Sequence, residues 1–570
     1  MASYGAVFRE GGDLRMFDSM FLPKLNHVAS GFAVVTLALT GCGADTTDPT
    51  IDDTMGDDTM GDGDGDGDGD GDATEGTSEP EPLEEYPALG ISITQVEANQ
   101  GTAVIIGEAG EWVPGAERLA PLVRNRDTLI RVHYDIDPSF TPREIEARLL
   151  LELPDGTTKT RTQVRHISGP SQANTLQEIY YFGLVAEQGE VTAGMKYKVE
   201  LHEVDASAGT GEAPGVWQTP AEPDQLGIQS EPIELKVVFV PYHHLYEDID
   251  RVAQTTDATM KIITDALFEH NPIEELIWEV HEPVMWTLPM DNLGSVLGPL
   301  SALRDNELSF PNEYYHALFP VPGGGVAGVA GVASVPGDGK GEGEGRVSVS
   351  ALGNSPNNTA GTVVHEIGHN EGLQHVFCPF AAAASPDPSY PYQNGLLGTW
   401  GFGVLSFKLY SPDNTYDYMS YCGPSWVSRW SWTKTFTRAR TLTSWDYEDA
   451  GDGGFDLTLG PAGYAEKQLL IGSLNGDNTE FWWTAHGTLP ATADVYGDDY
   501  DHYIELRNAG ELVAVLPAIV RYTNDYSTAW LTSELPAEFE GLEGVDEIVR
   551  VDELQQGHSV PKSRVQLSRR

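Results

Sequence analysis

The segment His365-Glu366-Ile367-Gly368-His369-Asn370-Glu371-Gly372-Leu373-Gln374-His375 sets imidazoles at i, i+4 and i+10, a carboxylate beside the first, and glycine at i+7. On a helix, residues i and i+4 lie one turn apart on the same face, so His365 and His369 can offer two nitrogens to one metal ion. Gly372 can adopt φ > 0 and stop the helix, which lets the chain turn and bring His375 back as a third ligand. Three nitrogen ligands with a fourth position left for water are the arrangement of a catalytic zinc, whereas structural zinc is usually closed by four protein ligands. Glu366 is then placed to act as general base. With 15 His and 62 Gly in 570 residues, the five fixed positions are expected by chance only about 10⁻⁴ times. Glu371 offers a rival scheme in which an acid replaces the third histidine, but two residues past His369 it points to a different helical face.

Downstream, Tyr416-Asp417-Tyr418-Met419-Ser420-Tyr421-Cys422 sets Met419 44 residues after His375. Alone, a methionine is ordinarily core packing and a tyrosine a packed aromatic. Together with HExxHxxGxxH, this segment resembles the methionine-containing turn of the metzincin clan of zinc metallopeptidases. The resemblance implies an α/β catalytic domain, one catalytic Zn2+ on His365, His369 and His375, and Glu366 as the proton-transferring residue. It implies that Met419 forms an apolar floor under the imidazoles, and that Tyr421 contacts the zinc or the reacting carbonyl. It also implies a sheet edge, sought near Val326 to Val335, that pairs with an extended substrate.

Cys378 and Cys422 each lie three residues past a key position, His375 and Met419. In an exported protein such a pair should oxidise, fastening the third ligand to the methionine turn; two free thiols are the alternative. Cys42, the remaining cysteine of three, leaves none for a latency switch.

Stepping outward, residues 86–231 read as a β-sandwich of immunoglobulin-like type. Ile145, Ala147, Leu149, Leu151 and Leu153 alternate with other residues before the turn Pro154-Asp155-Gly156, and Met195, Tyr197, Val199 and Leu201 do the same. Residues 232–448 alternate strand and helix signals, the pattern of an α/β sheet domain. A strand over Ile233–Val240 precedes a helical pattern in Ile249, Val252, Thr256, Met260, Ile263 and Leu267, and the motif helix is expected to start near Thr359. Between the motif and the methionine turn, and just after it, Tyr390, Tyr392, Trp400, Trp426, Trp430 and Trp432 make an aromatic surround, loosely similar to that of secreted mucin-cleaving relatives. Residues 449–570 form a C-terminal β-rich domain, with strand-like runs at Phe455–Leu459, Lys467–Ile471 and Tyr503–Leu506.

The amino terminus reads as an address. A basic start at Lys24, an apolar run Val28–Leu39, and Leu39-Thr40-Gly41-Cys42 resemble a bacterial lipoprotein signal, which makes 1–41 the signal peptide and Cys42 the acylated residue. The alternative is an ordinary secretory signal with a chance cysteine. The apolar run falls short of the ~20 residues that span a bilayer. Residues 42–85 carry 17 of the 87 acidic residues and no Lys or Arg, so like-charge repulsion and missing apolar surface predict an extended tether. Its Gly-Asp run could hold Ca2+ weakly, but it lacks a preorganised set of oxygens. A net charge of -54 argues against nucleic acid or an anionic membrane surface as partner, which leaves the lipid anchor as the membrane contact.

The expected function is therefore a surface-anchored or secreted zinc endopeptidase that hydrolyses extracellular proteins or glycoproteins. The alternative is a catalytically inactive, metallopeptidase-like surface protein that binds proteins or glycans.

Overall fold

The computed structural model describes residues 86–381, 386–448, 467–475, 480–487, 502–522, 528–552 and 556–567. Cys42, the signal, the tether and the run Phe455–Leu459 lie outside these residues. Within them the chain is multidomain and mostly β, built from several separate sheets.

Residues 86–231 fold into two antiparallel sheets. One contains β1 (Ile91–Asn99), β2 (Ala103–Glu108), β3 (Glu111–Trp112), β4 (Thr128–Ile136) and β7 (Tyr180–Leu184). The other contains β5 (Arg143–Glu152), β6 (Thr158–Ile167), β8 (Lys196–Glu203) and β9 (Gln218–Gln225). The alternation read from the sequence is the buried face of this sandwich, with Ile145, Ala147, Leu149, Met195, Tyr197, Val199 and Leu201 all buried.

The next sheet is mixed. β10 (Glu234–Tyr246), β14 (Glu313–Pro320) and β16 (Val347–Leu352) run parallel, β12 (Glu275–Val280) and β13 (Val284–Trp286) pair parallel with β10, and β11 (Ile249–Val252) and β15 (Gly331–Ala333) pair antiparallel at its two ends. Three helices accompany it: α1 (Asp257–His270), α2 (Leu297–Asn306) and α3 (Pro356–Asn370). The three central parallel strands β10, β14 and β16 are buried along most of their length, so both of their faces are covered, whereas β12 beside them is largely exposed.

The helical pattern from Ile249 to Leu267 is corrected by the fold. Ile249 and Val252 belong to β11, which turns back onto β10 through Glu247 at φ 50°, and the helix begins only at Asp257. Thr256 caps it by accepting the Thr259 amide, so an N-cap and a tight turn override the apolar spacing.

A fourth helix, α4 (Arg429–Glu448), follows the methionine turn. Beyond it, a five-stranded and a four-stranded sheet form the C-terminal unit, in which Leu469, Ile471 and Trp483 pack on Ala302 of α2.

The sandwich and the mixed-sheet unit share one continuous core, which runs from Ile93 and Val132 through Ile263 and Leu267 to Val363, Met419 and Trp432. Arg126, buried between them, donates to the carbonyls of Gln100 (2.9 Å), Ile273 (3.0 Å) and Phe268 (2.8 Å) and stacks on the Phe268 ring at 4.2 Å. Its charge meets the carbonyl end of α1, where the helix dipole favours a cation.

Candidate metal centre

α3 starts with Pro at its first turn, where a missing N–H costs nothing, and ends where Gly372 takes φ 90°. The Gly372 amide donates to the His369 carbonyl at 2.9 Å and that of Leu373 to Gly368 at 3.0 Å, closing the helix as the left-handed cap requires. The chain then reverses and delivers His375. His365, His369 and His375 each present a ring nitrogen, and these atoms lie within 4.8 Å of one another. The group can hold a metal ion, as the spacing predicted. Among the described residues no other cluster of His, Cys, Asp or Glu does so, and Glu371 is not part of this one.

Two of the rings are oriented by backbone. His365 Nδ1 donates to the Tyr418 carbonyl and His369 Nδ1 to the Leu373 carbonyl, each at 2.8 Å. Donation from Nδ1 fixes the tautomer and turns the Nε2 lone pairs toward each other; the two Nε2 atoms stand 3.2 Å apart. Desolvation, followed by the neighbouring His375, lowers the pKa of His365 to about 3, and desolvation lowers that of His369 well below the usual value. Neutral imidazole is the ligand form, so this environment suits a cation bound by nitrogen.

Met419 is fully buried against α3. A Cβ on Gly368 would lie 2.7 Å from Met419 Sδ and 2.8 Å from the Tyr418 ring, so glycine at this position lets the turn approach the helix. The turn is tied together by Asp417, which accepts from the Met419 amide (2.8 Å), the Ser428 amide (3.2 Å) and the Ser431 hydroxyl (2.6 Å). The Val376 amide donates to the Met419 carbonyl at 2.9 Å, linking the segment that carries the third histidine to the turn. Tyr421 is 40% exposed and its hydroxyl sits 3.0 Å from His375 Nε2. Cys378 and Cys422 form a disulfide with Cα atoms 6.0 Å apart.

Glu366 is buried on α3 beneath β15. A Cβ on Gly331 would fall 2.6 Å from Glu366 Cγ and 2.7 Å from its Oε1. β15 ends its sheet, so a strand edge lies over the helix that carries Glu366. The expected edge at Val326–Val335 is thus narrower than the sequence suggested: Val326 and Val329 close a small turn, and only Gly331–Ala333 joins the sheet. Glu371, buried just past α3, has its pKa pushed up to about 8 by desolvation, which the nearby Arg438 only partly offsets.

Gly331, Gly368 and Asp417 were not singled out from the sequence. Two of them are glycines among 62, and what distinguishes them is a partner distant in the chain.

No family model and no curated protein matches this chain. Among solved structures, two of Bacteroides uniformis β-glucuronidase 2, one a calcium-binding mutant and one carrying a covalent aziridine inhibitor, align at 10% identity with TM-scores of 0.13 and 0.14. They cover 40% and 41% of this chain, and this chain spans about a quarter of theirs (24%). A putative β-galactosidase from Bacteroides fragilis aligns at 9% identity and TM-score 0.13, over 84% of this chain and 74% of its own.

Proposed function

We propose that this chain is a zinc-dependent endopeptidase of metzincin type that cleaves extracellular proteins or glycoproteins. The observation that carries the reading is the convergence of His365, His369 and His375, two of them on the helix that also bears Glu366 and that packs through Gly368 on buried Met419. Three imidazole ligands and, among the described residues, no fourth protein ligand in the cluster suit zinc, which when bound would supply a Lewis acid and a water acidified toward a pKa of ~7.

The protein's own groups divide the remaining work. Nδ1 donation by His365 and His369 keeps Nε2 as the binding nitrogen. Glu366 takes the proton of the attacking water and passes it to the departing amine. Tyr421, beside His375, can donate its hydroxyl to the carbonyl oxygen as negative charge develops there. β15 offers main-chain groups to an extended substrate backbone, which gives affinity without regard to side-chain identity.

Export agrees with the Cys378–Cys422 bridge, since such bonds persist in oxidising compartments. No helix among the described residues is long and apolar enough to cross a membrane. On this reading Cys42 anchors the protein to a bacterial membrane through its acyl chains, with residues 43–85 as the spacer.

The test is incubation of the purified chain with a mixture of unlabelled proteins and mucins, read by mass spectrometry of new termini. Glu366→Gln should retain metal and lose the new termini, with turnover falling by at least 10². Equal cleavage by the variant would refute the assignment, and no cleavage by either, with metal bound, would favour a binding protein.

A further inference from the structure

The tip of the β1–β2 hairpin, Gln100 to Thr102, belongs to the sandwich but is inserted into the unit that carries the histidines. Thr102 bridges to Gly401, and the Ala103 amide donates to the Trp400 carbonyl at 2.8 Å. The Gly101 carbonyl accepts from the Phe402 amide at 3.1 Å and from Trp426 Nε1 at 2.8 Å. A Cβ on Gly101 would lie 2.2 Å from the Trp432 ring, so this backbone is pressed directly onto a fully buried indole.

From Trp426 the contact continues inward. The Trp426 carbonyl accepts from the Tyr418 amide at 3.0 Å, and the Tyr418 carbonyl accepts from His365 Nδ1 at 2.8 Å. Tyr416–Asp417 and Ser425–Trp426 form a ladder of two residues each, too short to hold its own register. Besides the Asp417 bonds, Trp426 holds it: its ring stacks on Tyr410 at 3.9 Å, meets His270 at 4.4 Å, and is hydrogen-bonded to Gly101.

We infer that the hairpin tip of the sandwich is a positioning element for the candidate metal centre, acting through Trp426 and Tyr418 on His365. This rests on the reading that the three histidines hold a metal. Trp426 touches no ligand ring of the cluster; it sets where the Tyr418 carbonyl stands, and that carbonyl sets the tautomer and plane of His365. The sandwich is then a permanent part of the site, not a segment removed to unmask it.

The experiment is Co2+ titration of the full chain, following the visible absorption bands that report coordination geometry, for wild type, Trp426→Phe and Gly101→Ala. Phenylalanine keeps an aromatic ring at 426 but loses the donor; alanine at 101 wedges the hairpin from Trp432. Both should weaken Co2+ binding by about tenfold, the lower end for groups that orient a metal-binding histidine, and should alter the band positions. Val164→Thr, at an exposed position of β6, should change neither. Thermal melting identifies folded variants, and because the two substitutions strike opposite sides of the contact, one folded variant suffices. Wild-type affinity and spectrum in a folded variant would overturn the inference while leaving the metal reading intact. A wild-type chain that binds no Co2+ would overturn the metal reading and this inference together.

Discussion

Gly368 and Met419 fit against each other as a notch and a knob: a single added carbon on the helix would stand 2.7 Å from the methionine sulfur. How closely the turn that carries Tyr418 and Met419 approaches the helix is therefore set by the absence of a side chain one position before His369. Gly368→Ala must push the turn outward, and with it the Tyr418 carbonyl that His365 uses. Overpacking of this kind costs about 1–3 kcal/mol. A lower melting temperature together with weaker metal binding is expected; unchanged values in both would show that the turn has room to spare.

Gly331 stands in the same relation to Glu366. Alanine there has to move either β15 or the side chains of both Glu366 and Thr362, since its Cβ would meet Glu366 Oε1 at 2.7 Å and Thr362 Cγ2 at 2.6 Å. On the proposed peptidase reading, where misplacement of a reacting group by about 1 Å can cost ~10²-fold, kcat should fall by that order while bound metal, measured by elemental analysis, stays at wild-type stoichiometry. Loss of metal in this variant would mean that the glycine serves folding and not placement of the carboxylate.

The disulfide closes a loop of 44 residues that contains the whole excursion from the third histidine to the methionine turn. Constraint of the unfolded chain by such a loop is worth about 3–4 kcal/mol. Cys378→Ser with Cys422→Ser should lower the melting temperature accordingly and weaken metal binding, because His375 stands three residues before the anchored Cys378. A double variant with the wild-type transition would place the stabilisation elsewhere.

Acid should destabilise the metal-free protein. His316, buried with Nδ1 2.7 Å from Ser348 Oγ, has its pKa pushed down to about 3 by desolvation, and desolvation lowers that of His270 to about 4. In the unfolded chain each titrates near 6.5, so between these values the unfolded state holds more protons and stability falls as pH falls. The contribution is intact above about pH 6.5 and is lost on the way to pH 4, on the order of 3 kcal/mol per ring. Melting temperatures measured from pH 7.5 to 4.5 should decline, and His316→Asn should make the decline shallower. A parallel decline in that variant would remove His316 as a cause.

The three histidines were legible because helix geometry turns i and i+4 into neighbours and a glycine cap brings back the third; all of that is local. The strands of the sandwich were legible for the same reason, since period-two burial is written into consecutive residues such as Ile145 to Leu151. Ile249 and Val252 misled because two apolar residues three apart satisfy a helix and a short hairpin strand equally, and Glu247 gives no turn signal of its own. Trp426 read as one of several aromatics around the site. Its Nε1 partner, the Gly101 carbonyl, lies 325 residues earlier, a separation that no local pattern records.

That separation also fixes an order of events. During synthesis the sandwich is finished long before residues 426–432 exist, so Gly101 and Arg126 must wait with eventual neighbours missing. The Arg126 guanidinium, destined for complete burial, lacks its partners until Phe268 and Ile273 follow 142 and 147 residues later, and the apolar seam at Gly101 that is meant for Trp432 faces solvent for longer still. Contacts of such range are slow to form and leave sticky surface exposed in the interval. The protein consequently depends on arriving whole: a chain truncated before Arg429 would strand a completed sandwich with an open, unpartnered seam, and aggregation is the expected fate of such a fragment.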